Sequence, residues 1–193
     1  EEQEGGEGYG VSNTTSHGGR AVGLKLAESK NALVQGLQAA GQTGGISGET
    51  GFYTLTQGGL ATALWLSSCE ACDISGLSAT GLTGGAGGAA FNQIPDYTPS
   101  IGGNAAGVYV TADTGVLGQS SGSVTGMNVS NLTGGSGGPH VMDGDTHRGQ
   151  IGGWAAGVYT ADGSSGYVFE GTIEDLQGGA HTMNAGGNQV TYG

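Results

Sequence analysis

The sequence predicts an all-β chain folded as a parallel β-solenoid (β-helix) of four to five large coils. Three observations lead there. Ile-Gly-Gly-Asn-Ala-Ala-Gly-Val-Tyr-Val-Thr-Ala-Asp at 101–113 recurs at 151–162 as Ile-Gly-Gly-Trp-Ala-Ala-Gly-Val-Tyr-Thr-Ala-Asp, and repetition over tens of residues marks a stacked-repeat architecture. Glycine supplies 45 of the 193 residues, against an ordinary usage of about 7%. Apolar residues alternate in short runs with a period of two, and no long stretch keeps the helical period. Collagen is excluded, because no Gly-X-Y period exists and only 3 prolines are present.

Taken in order, residues 1–17 form an acidic, Gly-rich N-terminal arm or cap. A frayed terminus competes there with an arm that docks on a neighbouring copy. Residues 18–193 divide into repeats at about 18–57, 58–101, 102–151 and 152–185, with a partial repeat at 186–193. Each repeat opens on a Gly-Gly pair (Gly18, Gly58, Gly102, Gly152) and closes on Thr-Gly-Gly or Gln-Gly-Gly (Thr43, Thr83, Thr133, Gln177). The third carries six extra residues around 114–119.

The first strand run buries Val22, Leu24 and Leu26, then Leu64 and Leu66, Val108 and Val110, and Val158. Its outward positions align as Lys25, Trp65, Tyr109 and Tyr159. The second run contributes Val34, Leu37 and Ala39, then Ile74, Leu77, Ala79 and Leu82, then Val124, Met127, Val129 and Leu132, and last Val168, Ile173 and Leu176. Asp175 aligns with Asn131, Gly81 and Gly41. Pro95, Pro99 and Pro139 fall in the connecting loops, where they break no ladder. No single repeat can bury its own apolar face, so four or five must stack.

Charge narrows the function. Four Lys and Arg face 16 Asp and Glu, for a net charge of −12. A nucleic-acid partner needs a basic patch, so none is expected, and an anionic membrane surface is disfavoured on the same ground. No apolar run approaches 18 residues, so no membrane insertion is expected. The chain opens Glu-Glu-Gln-Glu with no Met, which reads as a mature terminus. The expected location is therefore extracellular or the cell surface, after removal of a signal peptide. Asn13, Asn128 and Asn131 begin glycosylation sequons, the last two too close for comfortable double modification.

Gly-Gly-X-Ala-X-Gly-Val-Tyr-Val, followed by a second strand ending Leu-Thr-Gly-Gly, resembles right-handed parallel β-helix repeats of the pectate-lyase-like superfamily, in the Gly-rich form of exported microbial surface proteins. The resemblance spans roughly residues 18–180 and implies an architecture more than an activity. Polysaccharide lyases of that architecture, as the resemblance implies, hold calcium with clustered acids and use Arg or Lys as base. Here Arg20, Lys25 and Lys30 sit in the first repeat and Arg148 in a long loop, so no base faces a groove mid-stack. Glycoside hydrolysis needs two carboxyls about 5–9.5 Å apart, and stacked strands lie about 4.8 Å apart. The columns do not supply them, since Asp113 and Asp162 align only at a turn. The chain is read as no enzyme, with a lyase or hydrolase as the alternative.

Three further groups stand out. In loop 139–148, His140, Asp143, Asp145 and His147 are candidate metal ligands, calcium being the candidate ion. No Glu follows at EF-hand spacing, and a solvated loop is the simpler expectation, so no cofactor is assigned. One Cys-Glu-Ala-Cys is short of a four-ligand zinc site, and export favours a local disulfide between Cys69 and Cys72 over a cross-link between copies. The outward Trp65, Tyr109 and Tyr159 fit a stiffening ladder, a protein interface or a sugar platform.

The leading expectation is a non-enzymatic extracellular structural protein that self-assembles into a filament, sheath or surface lattice through solenoid stacking. Its partner is then itself, with Gln189–Tyr192 read as an ordinary, uncapped strand. The alternatives are a carbohydrate-binding or polysaccharide-cleaving β-helix, and an adhesin-type module meeting glycans or other surface proteins through loops 86–101 and 136–151.

Overall fold

The computed structural model describes residues 5, 16–48, 55–88, 90–92, 100–111, 121–138, 140–142, 151–161, 166–185 and 188–192. Within them the chain is all-β, with no helix. The strands are β1 (Ser16–His17), β2 (Ala21–Ala27), β3 (Leu33–Gln35), β4 (Gln38–Ala40), β5 (Thr56–Gln57), β6 (Ala61–Ser67), β7 (Cys72–Ser75), β8 (Ser78–Thr80) and β9 (Ala90–Asn92). They continue as β10 (Ser100–Ile101), β11 (Ala105–Thr111), β12 (Gly122–Ser130), β13 (Leu132–Thr133) and β14 (His140–Met142). The last are β15 (Ala155–Thr160), β16 (Tyr167–Ile173), β17 (Leu176–Gln177), β18 (His181–Ala185) and β19 (Asn188–Tyr192).

Strands of successive repeats lie side by side and parallel. One sheet runs β15-β11-β6-β2, a second runs β3-β7-β12-β8-β4 with β16 on β12, and a third runs β1-β5-β10. Ala21, Ala61, Ala105 and Ala155 are in register, at spacings of 40, 44 and 50 residues. Parallel neighbours need long connections, and the rest of each repeat supplies them. The third repeat's insertion is visible as a jump in spacing. Thr111 pairs with Ser67, 44 residues away, whereas Gly122 pairs with Cys72, 50 away, so six residues enter between the two pairs.

Alternation decides what is buried. Leu64 and Leu66 of β6, Val108 and Val110 of β11, and Ile74, Leu77, Leu82, Val124, Val129 and Leu132 form one buried cluster. Gly41, Gly81, Asn131 and Asp175 share a corner, and all four have a positive φ, between 52 and 66°. Glycine adopts that conformation without strain, and Asn and Asp tolerate it better than other residues.

Two expectations need correction. Val168 does not continue the core column of Val124. Val124 pairs with Phe169, and the register slips by one residue before Met127 meets Gly171. The slip turns Val168 outward, where it is 65% exposed, and turns Tyr167 and Phe169 toward the core. Two aromatic rings bury more apolar surface than one valine, which favours this phase. Nor do residues 186–193 begin a fifth parallel repeat. β19 pairs antiparallel with β18, Ala185 opposite Asn188. Strands separated by two residues fold back locally, whereas a parallel partner needs a long crossover.

The Gly pairs at the two ends of the repeats meet each other. The Gly45 N–H donates to the Gly19 carbonyl, Gly59 to Gly45, Gly85 to Gly59, Gly103 to Gly85, Gly135 to Gly103, Gly153 to Gly135 and Gly179 to Gly153, all at 2.6–2.9 Å. Opening and closing pairs thus alternate along one backbone spine. Gly5 joins it on the near side, donating to the Thr43 carbonyl at 2.8 Å as Gly44 donates to Thr83 at 2.9 Å. The N-terminal arm is therefore anchored on its own chain at that residue.

Tyr167 closes the corner of the second and fourth repeats, its hydroxyl donating to the Cys69 carbonyl at 3.0 Å. Burial pushes its pKa up to about 12. The folded value lies above the unfolded value of about 10, so the fold prefers the neutral phenol. That stabilisation is whole below pH about 10 and is lost as pH rises through about 12. In an alkaline titration followed by tyrosinate absorbance, Tyr167→Phe is expected to delete a step at a pH of about 12. Loss of an ordinary, early step instead would contradict the assignment.

Candidate functional site

Two surfaces carry the residues singled out above. The first is the outward face of the β2-β6-β11-β15 sheet. Lys25 is opposite Trp65, Trp65 opposite Tyr109, and Tyr109 opposite Tyr159, as the alternation required. Trp65 meets Tyr109 edge-on at 5.5 Å between centroids, and Tyr109 stacks on Tyr159 at 5.1 Å. Arg20 Cζ lies 4.8 Å and Lys25 Nζ 4.4 Å from the Trp65 ring centre, two cation–π contacts on one indole. The indole N–H donates to Thr111 Oγ1 at 2.9 Å.

Trp154 also belongs to this ladder, stacked on Tyr159 at 4.6 Å. The sequence reading missed it. The signal was available, because Trp154 follows the opening Gly-Gly pair as Arg20, Leu60 and Asn104 do. Burial raises the Tyr109 pKa, Tyr159 adds to the rise, and Arg20 opposes it.

Beside the ladder lies a groove of about 300 Å³ lined by His17, Arg20, Gln57, Leu60, Asn104 and Tyr109. Its described lining holds no carboxylate, so it offers no acid pair for hydrolysis. The Tyr109, Tyr159 and Trp154 rings stack on one another as a continuous set, which suits a cross-strand ladder better than a row of separate sugar platforms.

The second surface comprises the two open edges. Among the described residues, β2, β3 and β4 each pair on one side only, with the second repeat. β15, β16 and β17 likewise pair only with the third repeat. Core columns run out into both edges. Leu82 and Leu132 are fully buried, whereas Leu176, opposite Leu132, is 41% exposed. Val129 is buried, whereas its partner Ile173 is 46% exposed. All residues from 171 to 178 are exposed. At the other edge Leu24, Leu26, Val34 and Leu37 are only partly covered.

The edges differ in charge. Residues 16–43 hold three cations (Arg20, Lys25, Lys30) against one carboxylate (Glu28), for +2. The described residues between 151 and 179 hold no cation against Glu170, Glu174 and Asp175, for −3. Lys30 is already engaged, its Nζ 2.7 Å from Glu70 Oε2, which raises its pKa.

The remaining candidates scatter. Cys69 and Cys72 are disulfide-bonded to each other and buried, at a corner where Ser68 and Ala71 have positive φ. Asn128 is exposed on β12, its Oδ1 accepting from Thr172 Oγ1 at 3.3 Å, and Asn131 is exposed at its corner. Asn13, Asp143, Asp145 and His147 lie outside the described residues, and His140 opens β14. Among the described residues no group of three or more His, Cys, Asp or Glu gathers, and no helix is long and apolar enough to cross a membrane. No protein-family model, curated protein or solved structure matches the chain, so its own geometry carries the functional reading.

Proposed function

We propose that the parallel sheets are the faces of one β-solenoid of four coils, and that the protein is a non-enzymatic structural protein that assembles with copies of itself. One observation carries this reading. Positions filled by buried Ala79 and Leu82 in the second repeat and buried Val129 and Leu132 in the third are filled by half-exposed Ile173 and Leu176 in the fourth, on strands with one side unpaired among the described residues. An unpaired edge is a template for another strand, and solenoids that remain single usually cover it with a polar terminal repeat. The hairpin of β18 and β19 pairs with itself and adds no strand to the parallel ladders.

A second copy is the occupant whose apolar columns have the matching spacing. Contacts between unlike ends that do not close produce filaments, and those that close produce rings or tubes. The resulting fibre, sheath or lattice is held by backbone ladders between copies, in an extracellular setting consistent with a disulfide. Purified protein is expected to form regular polymers under electron microscopy and to scatter light increasingly with concentration. A monomer that persists at high concentration would sink the reading.

A further inference from the structure

We infer that the junction between copies is polar, the first-repeat edge of one copy docking on the fourth-repeat edge of the next so that Arg20 and Lys25 lie over Tyr159 and Trp154. This rests on the self-assembly reading and specifies its contact. Three observations point to it.

The first is register. Each internal step takes a residue to its equivalent in the next repeat, as Lys25 to Trp65, Trp65 to Tyr109 and Tyr109 to Tyr159. Away from the spine, where Gly5 of the same chain already holds the Thr43 carbonyl, one more step in the same sense sets Tyr159 against Lys25 of the next copy. The same step sets Val158 on Leu24, Phe169 on Val34 and Ile173 on Ala39, apolar against apolar. It also brings Ile151, 41% exposed, against His17 of the next copy.

The second is charge. Over the described residues the polar contact joins +2 to −3, whereas like-with-like contacts would oppose +2 to +2 or −3 to −3. Like-charge juxtaposition across an interface costs several kcal/mol, so the acidic chain has one favourable pairing of ends. Three of its four Lys and Arg stand at the first-repeat edge.

The third is the ladder itself. It begins in cations and ends in aromatic rings, and Arg20 and Lys25 already take up positions within 5 Å of the Trp65 ring centre. β15, which carries Tyr159, has a ladder partner among the described residues only on the Tyr109 side. A second copy would lay its cations on that aromatic end, making the ladder continuous from copy to copy.

The test uses two charge-reversed chains, Arg20→Glu with Lys25→Glu, and Glu170→Lys with Glu174→Lys. All four side chains lie on exposed or edge positions, and circular dichroism checks that each chain folds. Each chain alone is expected to lose polymer by about tenfold or more in a sedimentation assay, because its altered end, −2 or +1 over the described residues, then carries the sign of the unaltered end it must meet. An equimolar mixture is expected to recover polymer, because each altered end then meets its complement. If wild-type protein polymerises but either variant alone does so equally, or the folded variants fail to recover on mixing, the polar junction is overturned while self-assembly stands. If wild-type protein never polymerises, the broader reading fails instead. Should a variant not fold, salt titration of the unmodified chain decides. Polymer yield should fall between roughly 0.05 and 1 M salt as the Debye length shrinks from over 10 Å to about 3 Å, and an unchanged yield overturns the inference.

Discussion

Replacing Gly85 with alanine is expected to abolish folding or to cost about 4 kcal/mol or more. The Gly85 N–H donates to the Gly59 carbonyl at 2.9 Å, and its own carbonyl accepts from Gly103 at 2.6 Å. A Cβ at Gly85 would fall inside van der Waals contact of the Gly45 and Gly44 carbonyl oxygens. Those oxygens belong to backbone, and Gly45 is itself held by hydrogen bonds to Gly19 and Gly59, so neither side can swing away. Gly36 is the control. It has a φ of +66° but open space where a Cβ would go, so alanine there costs only the left-handed conformation, about 1–2 kcal/mol. Denaturant melts of the two variants check this. Equal losses would mean that the spine accommodates a methyl group.

A gradient along one core column is the second expectation. Leu82→Ala should cost about 3 kcal/mol, within the usual range for a fully buried leucine that leaves a cavity. Leu176→Ala, at the equivalent position of the fourth repeat, should cost roughly 1 kcal/mol or less in the monomer, because Leu176 keeps 41% of its surface in water. In polymerised protein the Leu176 variant should lose more, since a docked copy would bury that side chain. Thermal melts of both variants, below and above the concentration at which polymer forms, separate the cases. Equal costs in the monomer would show that the fourth-repeat edge is already covered, which removes the main support for end-to-end assembly.

Much of this was legible because a period of two and a repeat spacing are both local quantities. Aligning the repeats put Trp65, Tyr109 and Tyr159 in one column and Gly41, Gly81, Asn131 and Asp175 at one corner, and the pairing register and φ values agree. The Cys69–Cys72 bridge followed from two cysteines three residues apart with no other thiol available. The phase of Tyr167-Val168-Phe169 did not follow. Every residue there is apolar or aromatic, so either phase satisfies alternation, and only competition for core space across a one-residue slip chooses between them.

What the sequence determined by itself is therefore the repeat, the β class, the alignment of equivalent positions and, outside residues 167–169, the face on which the alternating core residues stand, since these depend on neighbours a few residues away or on equivalents one repeat away. Tertiary structure alone decided which Gly pairs interlock, that Arg20 and Lys25 share the Trp65 ring, that Trp154 joins the ladder, and that residues 181–192 fold back on themselves. The repeat spacing brings some of these residues near one another, but it does not say which side chains touch or how the Gly pairs and the last strands meet. That is settled by which surfaces remain to be covered once the strands are in register.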